Sequence, residues 1–222
     1  MQRSLTLVGH GTIALFAGCI LLACTGCGSH LGLIDYWRRG ILPVDAKFPG
    51  LEGKRVAVVC LDGNSLHGPG SEADTIARAV TTTLGAKVAD IRIVRQSEIA
   101  DWIDSQNEDL SDYRDVGRGV KADMVVGIDL ISFNLHEGQT LLKGRAKVGV
   151  KVFDMTKGGQ VVYESPPKEI TWPESGARHV TENEDNFRNV FIYTILADKI
   201  ARDFYAYEAI SDVAIDAQSL AN

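Results

Sequence analysis

Residues 54–61, KRVAVVCL, decide the fold of this 222-residue chain. The near-continuous apolar run after two basic residues predicts a β-strand that is buried on both faces, as in a sheet covered by helices. A polar, glycine-rich loop follows at residues 62–70, and Ser71, with an aspartate three residues later, forms a capping box at the start of a helix. Apolar residues recur at helical spacing up to Leu84, and Gly85 is expected to end the helix. This order of elements indicates an α/β domain.

A period of two residues is clearest at residues 142–153, which predict a strand with one buried and one solvated face. Its basic row consists of Lys143, Arg145, Lys147 and Lys151, and its apolar row consists of Ala146, Val148, Val150 and Val152. A hairpin turn at 154–159 and a returning strand at 161–164 are expected to follow. The other elements predicted upstream are strands at 88–95 and 122–134, a short helix capped by Ser97, a helix at 111–120 and a turn at 136–140.

The C-terminal part is predicted to be one long helix. Residues 165–180 contain three prolines and are expected to form a loop. Thr181 and Glu184 form a second capping box, and the helix is expected to run to about Glu208, with an apolar stripe that includes Thr194 and Phe204. The whole pattern predicts a single mixed-sheet α/β sandwich with parallel early strands, an antiparallel hairpin later and a long C-terminal helix.

The N-terminus has the layout of an export signal. Arg3 is followed by an uncharged apolar run at residues 12–23, which is too short for the roughly 20 residues that a membrane-spanning helix needs. The stretch Leu21-Leu-Ala-Cys24 resembles the lipobox of bacterial lipoproteins, in which the cysteine thiol receives a diacylglycerol. Cys24 is therefore the first candidate for lipid attachment, Cys27 the second and Cys19 the third. An ordinary cleaved signal with incidental cysteines is the simpler alternative.

These features divide the chain into four predicted parts: a signal peptide at 1–23, a lipidated tether at 24–53, a periplasmic α/β domain at 54–208 and a flexible tail at 209–222. Neither Thr25 nor Gly28 is the aspartate that resembles an inner-membrane retention signal, so the predicted location is the outer membrane, on its periplasmic side. In the tether, Trp37, Arg38 and Arg39 are suited to contact lipid headgroups. A short helix packed back on the domain is the alternative.

Composition and motifs narrow the classes of function. The formal net charge of −6 argues against nucleic acid as a partner, and a single cysteine outside the N-terminal cluster, Cys60, excludes a disulfide framework. The glycine-rich loop 62–70 lacks the lysine of a phosphate-binding loop, and no metal-ligand spacing is present. Asp62 and Asp129 lie near predicted strand ends, but neither has a partner at diagnostic spacing. We therefore expect no cofactor, no metal and no enzymatic activity.

The basic row at residues 143–151 has two interpretations. It is suited to contact an anionic partner or membrane, as a candidate site shared with Trp37, Arg38 and Arg39. A solvated sheet face that carboxylates on neighbouring strands neutralise is the simpler interpretation.

Several short motifs carry a resemblance to a known group of proteins. They are Lys54-Arg-Val-Ala-Val-Val59, Ile91-Arg-Ile-Val-Arg-Gln-Ser-Glu-Ile99, Lys121-Ala-Asp-Met-Val-Val-Gly127, Val152-Phe-Asp154 and Thr156-Lys-Gly-Gly-Gln-Val-Val162, followed by a closing helix. In layout, residues 54–208 resemble the broad group of envelope lipoproteins that includes the curli secretion channel CsgG, the penicillin-binding-protein activator LpoB and the N-terminal domain of TolB.

The resemblance implies non-enzymatic work in the cell envelope. The first hypothesis is a lipid-anchored accessory protein that binds protein partners in envelope assembly or transport, through loops such as 62–70 and 165–180. The alternative is an oligomeric outer-membrane secretion channel of the curli type, which makes a homo-oligomer a possible state. The short hairpin predicted at 136–140 and the lysines that follow it argue against that channel. A hydrolase of envelope material is the third hypothesis.

Overall fold

The computed structural model describes residues 42–63, 71–106, 112–179 and 183–209. The strands are β1 (Leu42–Val44), β2 (Arg55–Asp62), β3 (Arg92–Ile93), β4 (Met124–Glu137), β5 (Leu141–Asp154), β6 (Gln160–Trp172), β7 (Arg178–His179) and β8 (Tyr207–Ala209). The helices are α1 (Glu72–Lys87), α2 (Gln96–Asp104), α3 (Tyr113–Gly119) and α4, which runs from Glu184 to Ala201 and has a π-helical stretch at Val190–Leu196.

One sheet organises the domain, with the strand order β3-β2-β4-β5-β6 and β7 paired to the end of β5. The first three strands of this order are parallel, and β4, β5 and β6 are antiparallel to one another. Parallel neighbours need crossovers, which α1 to α3 supply, whereas tight turns join the antiparallel strands. The predicted mixed α/β fold with parallel early strands and a later antiparallel hairpin is confirmed.

Strand β2 is buried on both faces, as its apolar run predicts. Val56, Val58 and Cys60 belong to the larger core, which α1 and α4 cover. Ala57, Val59 and Leu61 belong to a smaller core on the opposite face, beneath α2 and α3. Among the described residues, Phe153 is the one buried residue of β5 in this smaller core, and no residue of β6 belongs to it.

Helix α1 begins where the sequence predicts and ends later. The Ser71 hydroxyl accepts a hydrogen bond from the Asp74 amide at 3.2 Å, so the predicted N-cap is confirmed. The prediction that Gly85 ends the helix is wrong, because α1 continues to Lys87. The predicted strand at 88–95 is also too long: only Arg92 and Ile93 pair with β2.

Strand β6 replaces the first half of the loop predicted at 165–180. It continues from Gln160 to Trp172 through Pro166 and Pro167. Val150 pairs with Ser165 and Val148 with Lys168, so β6 carries one extra residue in a bulge at the two prolines. Proline lacks the N–H that a central strand needs, but a bulge in the outermost strand of a sheet tolerates it.

Helix α4 is shorter than predicted and has a shifted apolar face. Its N-cap is Asn183, whose side chain accepts a hydrogen bond from the Asn186 amide at 3.1 Å, while Thr181 lies outside the described residues. The helix ends at Ala201 instead of Glu208, although Phe204 in the following turn is buried as expected. Thr194 is exposed, because the wider π-helical turn rotates Ile192 and Ile195 into the core.

The domain includes residues that the sequence analysis assigned to the tether. Leu51 is fully buried in the larger core, and the ring of Phe48 packs against that core. The amide of Phe48 donates a 2.8 Å hydrogen bond to the carbonyl of Asp203, just beyond α4. The described residues contain no helix that is both long and apolar enough to span a membrane.

Candidate functional site

The candidate site is a solvent-facing surface on β4, β5 and β6, which we call the polar face. Its members are Asp129, Arg145, Lys147, Lys151, Glu164 and Glu169. All are half-buried or exposed, because α2 and α3 cover only the parallel half of this side of the sheet.

Strict alternation along β5 creates this face. Ala146, Val148, Val150 and Val152 are fully buried in the larger core, as predicted. The intervening basic residues therefore point to the other side of the sheet, where water replaces the helix layer. The interpretation of residues 142–153 as a strand with one wet face is confirmed.

Carboxylates on neighbouring strands neutralise most of the basic row. Arg145 Nη2 lies 2.6 Å and Lys143 Nζ 3.7 Å from the carboxylate of Glu137. Lys151 Nζ lies 3.3 Å from Asp129 Oδ2 and 3.7 Å from Glu164 Oε1. For these three cations, the structure contains the simpler arrangement, a solvated sheet face on which neighbouring carboxylates neutralise the basic row.

Lys147 differs from the rest of the row. It is exposed between Ser132 of β4 and Glu169 of β6, which are its register partners. Its ammonium has no carboxylate within 4 Å among the described residues, so its charge is available to a ligand.

Asp129 is the most constrained carboxylate of the polar face. The hydroxyl of Tyr113, which comes from α3, donates a 2.5 Å hydrogen bond to Asp129 Oδ1. The Tyr113 ring reaches this position because Gly127 has no side chain: an added Cβ would lie 3.0 Å from the ring. Burial and the bond to Asp129 raise the pKa of the Tyr113 phenol, which therefore remains a donor at neutral pH.

The structure does not bring the two predicted aspartates together. Leu61 pairs with Asp129, and Asp62 pairs with Leu130, so the two carboxylates project from opposite faces of the sheet. Cys60 is buried beside them as a small apolar residue, and burial raises the pKa of its thiol well above the ordinary value. These residues do not form a catalytic arrangement.

Other predicted positions fall outside the described residues or serve structural roles. Cys19, Cys24, Cys27, Trp37, Arg38 and Arg39 lie outside the described ranges, as do residues 64–70 of the glycine-rich loop. His136 Nε2 lies 3.3 Å from Glu184 Oε1 at the start of α4. The described ranges contain no cluster of three or more potential metal ligands.

The sequence analysis missed a charged cluster at the end of α4. Asp203 is buried, and its two carboxylate oxygens pair with different lysines: Oδ1 with Lys47 Nζ at 2.9 Å and Oδ2 with Lys168 Nζ at 3.1 Å. In the sequence, the one sign of this cluster is that Asp203 stands next to Phe204 in a predicted apolar stripe. Its two partners lie 35 and 156 residues away, so spacing along the chain does not reveal them.

No protein-family model and no curated protein matches the sequence. Solved structures do resemble the fold. The PelC dodecamer from Paraburkholderia phytofirmans aligns at 16% identity over 74% of this chain and 96% of the PelC chain, with a TM-score of 0.41. The C-terminal domain of LpoB from Salmonella enterica aligns at 11% identity over 56% of this chain and 87% of that chain, with a TM-score of 0.38.

Lipoprotein GNA1162 from Neisseria meningitidis aligns at 11% identity over 66% of this chain and 97% of that chain, with a TM-score of 0.38. LpoB is one of the proteins in the group that the sequence resembles. At these identities the similarity concerns the fold alone.

Proposed function

We propose that this chain is a lipid-anchored accessory protein of the cell envelope and that it binds a protein partner through the polar face. The anchoring part rests on the signal-like N-terminus and on the lipobox that ends at Cys24. Cys27 is the alternative attachment site, and the outer membrane, on its periplasmic side, is the proposed location.

The polar face carries the binding part of the proposal. Ion pairs already hold Arg145 and Lys151 in place, so a partner meets charges whose side chains need little further ordering. Across this side of the sheet four basic residues face four acidic ones: Lys143, Arg145, Lys147 and Lys151 against Asp129, Glu137, Glu164 and Glu169. A balanced charge pattern suits a protein surface with complementary charges better than it suits a polyanion.

The hairpin of β4 and β5 is long enough for the channel alternative, but its surfaces do not suit contact with lipid. Each strand has 14 residues, which exceeds the roughly 9–11 that a membrane-crossing strand needs. One face of β5 is committed to the core and the other carries the basic row, so neither face offers an apolar surface to lipid.

A photo-crosslinking residue placed at position 147 in cells tests the binding proposal. We expect a discrete adduct from position 147 and none from position 54, because the exposed Lys54 directly precedes β2, two strands away from β5 in the sheet. Charge reversal of the neighbour, Glu169→Lys, should abolish the adduct while the circular dichroism spectrum stays unchanged. Equal adducts from both positions, or an adduct that survives the charge reversal, would contradict the proposal.

Metabolic labelling with a radioactive fatty acid tests the anchor separately. We expect Cys24→Ser to abolish incorporation of the label and Cys27→Ser to leave it. If Cys27→Ser abolishes the label and Cys24→Ser does not, Cys27 carries the lipid. If the wild-type chain takes up no label, the chain is not lipidated.

A further inference from the structure

Residues 45–50 run along the surface of the domain and end at Leu51, which is fully buried. The ring of Phe48 lies 5.5 Å from the Tyr163 ring and 6.4 Å from the Phe204 ring, centroid to centroid. Among the described residues, Phe48 is the one member of residues 45–50 whose amide donates a backbone–backbone hydrogen bond in a loop or turn, and the acceptor is the carbonyl of Asp203. Between the end of β1 at Val44 and the buried Leu51, the polar attachments of this segment are therefore those of Lys47 and Phe48.

The two lysines on Asp203 have different surroundings. Lys168 is mostly covered, donates a second hydrogen bond of 2.8 Å to the carbonyl of Lys199, and has a pKa lowered by burial. The side chain of Lys47 is 65% exposed, and its bond to Asp203 raises its pKa. The Lys168–Asp203 pair is thus an inner, structural pair, and the Lys47–Asp203 pair is an outer one that water can reach.

Loss of the outer pair leaves no charge stranded. Breaking a buried ion pair is costly when one partner remains without a counter-charge. When Lys47 departs, Asp203 keeps Lys168 at 3.1 Å, and the Lys47 ammonium enters water. The local opening of residues 45–50 therefore does not incur the cost of leaving the buried Asp203 without a counter-charge.

We infer that residues 45–50 form a releasable strap, which the Lys47–Asp203 ion pair and Phe48 fasten to the end of α4. The strap also forms one wall of a cavity of about 400 Å³, with Asp45, Ala46 and Pro49 facing Val88, Phe204 and Tyr205. Release would open this cavity.

Hydrogen exchange of the full-length chain in mild detergent tests the strap. We expect Lys47→Gln to raise the exchange rate of the Phe48 amide about three- to fivefold, the factor typical of one partly exposed ion pair. The amide of Val58, in the buried strand β2, should keep its rate. Lys54→Gln removes the same charge from a lysine that has no ion pair among the described residues, and it should change neither amide.

Salt gives a second readout. At 1 M NaCl the screening length falls to about 3 Å, so exchange at Phe48 should rise in the wild-type chain and stay constant in Lys47→Gln. The inference is wrong if Phe48 exchanges at the same rate in both chains. It is also wrong if Phe48 and Val58 accelerate together, because the segment would then open only when the whole domain unfolds.

Discussion

Replacement of Gly144 by alanine tests how tightly α4 packs on β5. An ideal Cβ at residue 144 would lie 2.6 Å from Cγ of Phe191, about 1 Å inside an ordinary carbon–carbon contact. The Phe191 ring is fully buried and packs on Phe133 with centroids 5.8 Å apart, so it has little room to move. Overpacking costs about 1–3 kcal/mol, and the lower chain entropy of alanine in the unfolded state offsets about 0.4–1 kcal/mol. We expect the free energy of unfolding to fall by about 1–2 kcal/mol.

Gly149→Ala is the matched control, because residue 149 lies on the same strand and on the opposite face. Its added Cβ would lie 3.7 Å from the Cβ of Asp129, an ordinary contact. We expect this variant to be as stable as the wild type or up to about 1 kcal/mol more stable. Urea unfolding followed by circular dichroism measures both variants. Equal midpoints for the two would refute the assignment of the faces of β5.

A double mutant identifies the ring as the cause. If Phe191 is the obstacle, Gly144→Ala should cost less in a Phe191→Leu background than in the wild type, since leucine leaves space where the ring was. Strictly additive effects would show that the destabilisation arises in the backbone instead.

Three further outcomes follow from the titratable groups. A hydrogen bond from the Thr156 hydroxyl lowers the pKa of Asp154 in the folded chain. The ionised Asp154 carboxylate therefore stabilises the fold above its unfolded pKa of about 4, and this stabilisation is lost as the pH falls through the folded pKa. Asp154→Asn should flatten the decline in the free energy of unfolding between about pH 5 and pH 2, measured by urea unfolding. Tyr113→Phe should cost about 1 kcal/mol, because Asp129 loses a donor; no change in urea midpoint would contradict the bond. Burial raises the pKa of Cys60, so, in a variant whose three N-terminal cysteines are serine, a thiol reagent should react only after unfolding.

Sequence patterns predicted the parts of the fold in which local chemistry and tertiary contacts agree. The alternation at residues 142–153 and the apolar run at 54–61 both require burial of specific side chains, and the sheet supplies that burial on the expected faces. The Ser71 cap likewise depends only on groups within one turn of helix. The layered mixed sheet follows from the order of these elements.

Predictions failed where distant contacts overrule local preference. Pro166 and Pro167 indicate a loop, but pairing with β5 on both sides of the bulge keeps them within a strand. Helix α4 ends at Ala201 despite continuing apolar periodicity, and Asp203 just beyond it pairs with two lysines from remote segments. On the polar face, the basic row could be predicted from spacing, whereas the bond from Tyr113 to Asp129 depends on the placement of α3.

The paired prolines of β6 also bear on how the domain behaves at high concentration. The outer edge of β6 is open in the described structure, and an open edge is a template on which extended chains aggregate. Two adjacent residues without N–H donors interrupt that template, leaving only the short stretches 160–165 and 168–172 on either side. The bulge therefore acts as a gatekeeper against fibril growth, and a variant with threonine at both positions should form thioflavin-positive aggregates at concentrations at which the wild-type chain stays dispersed.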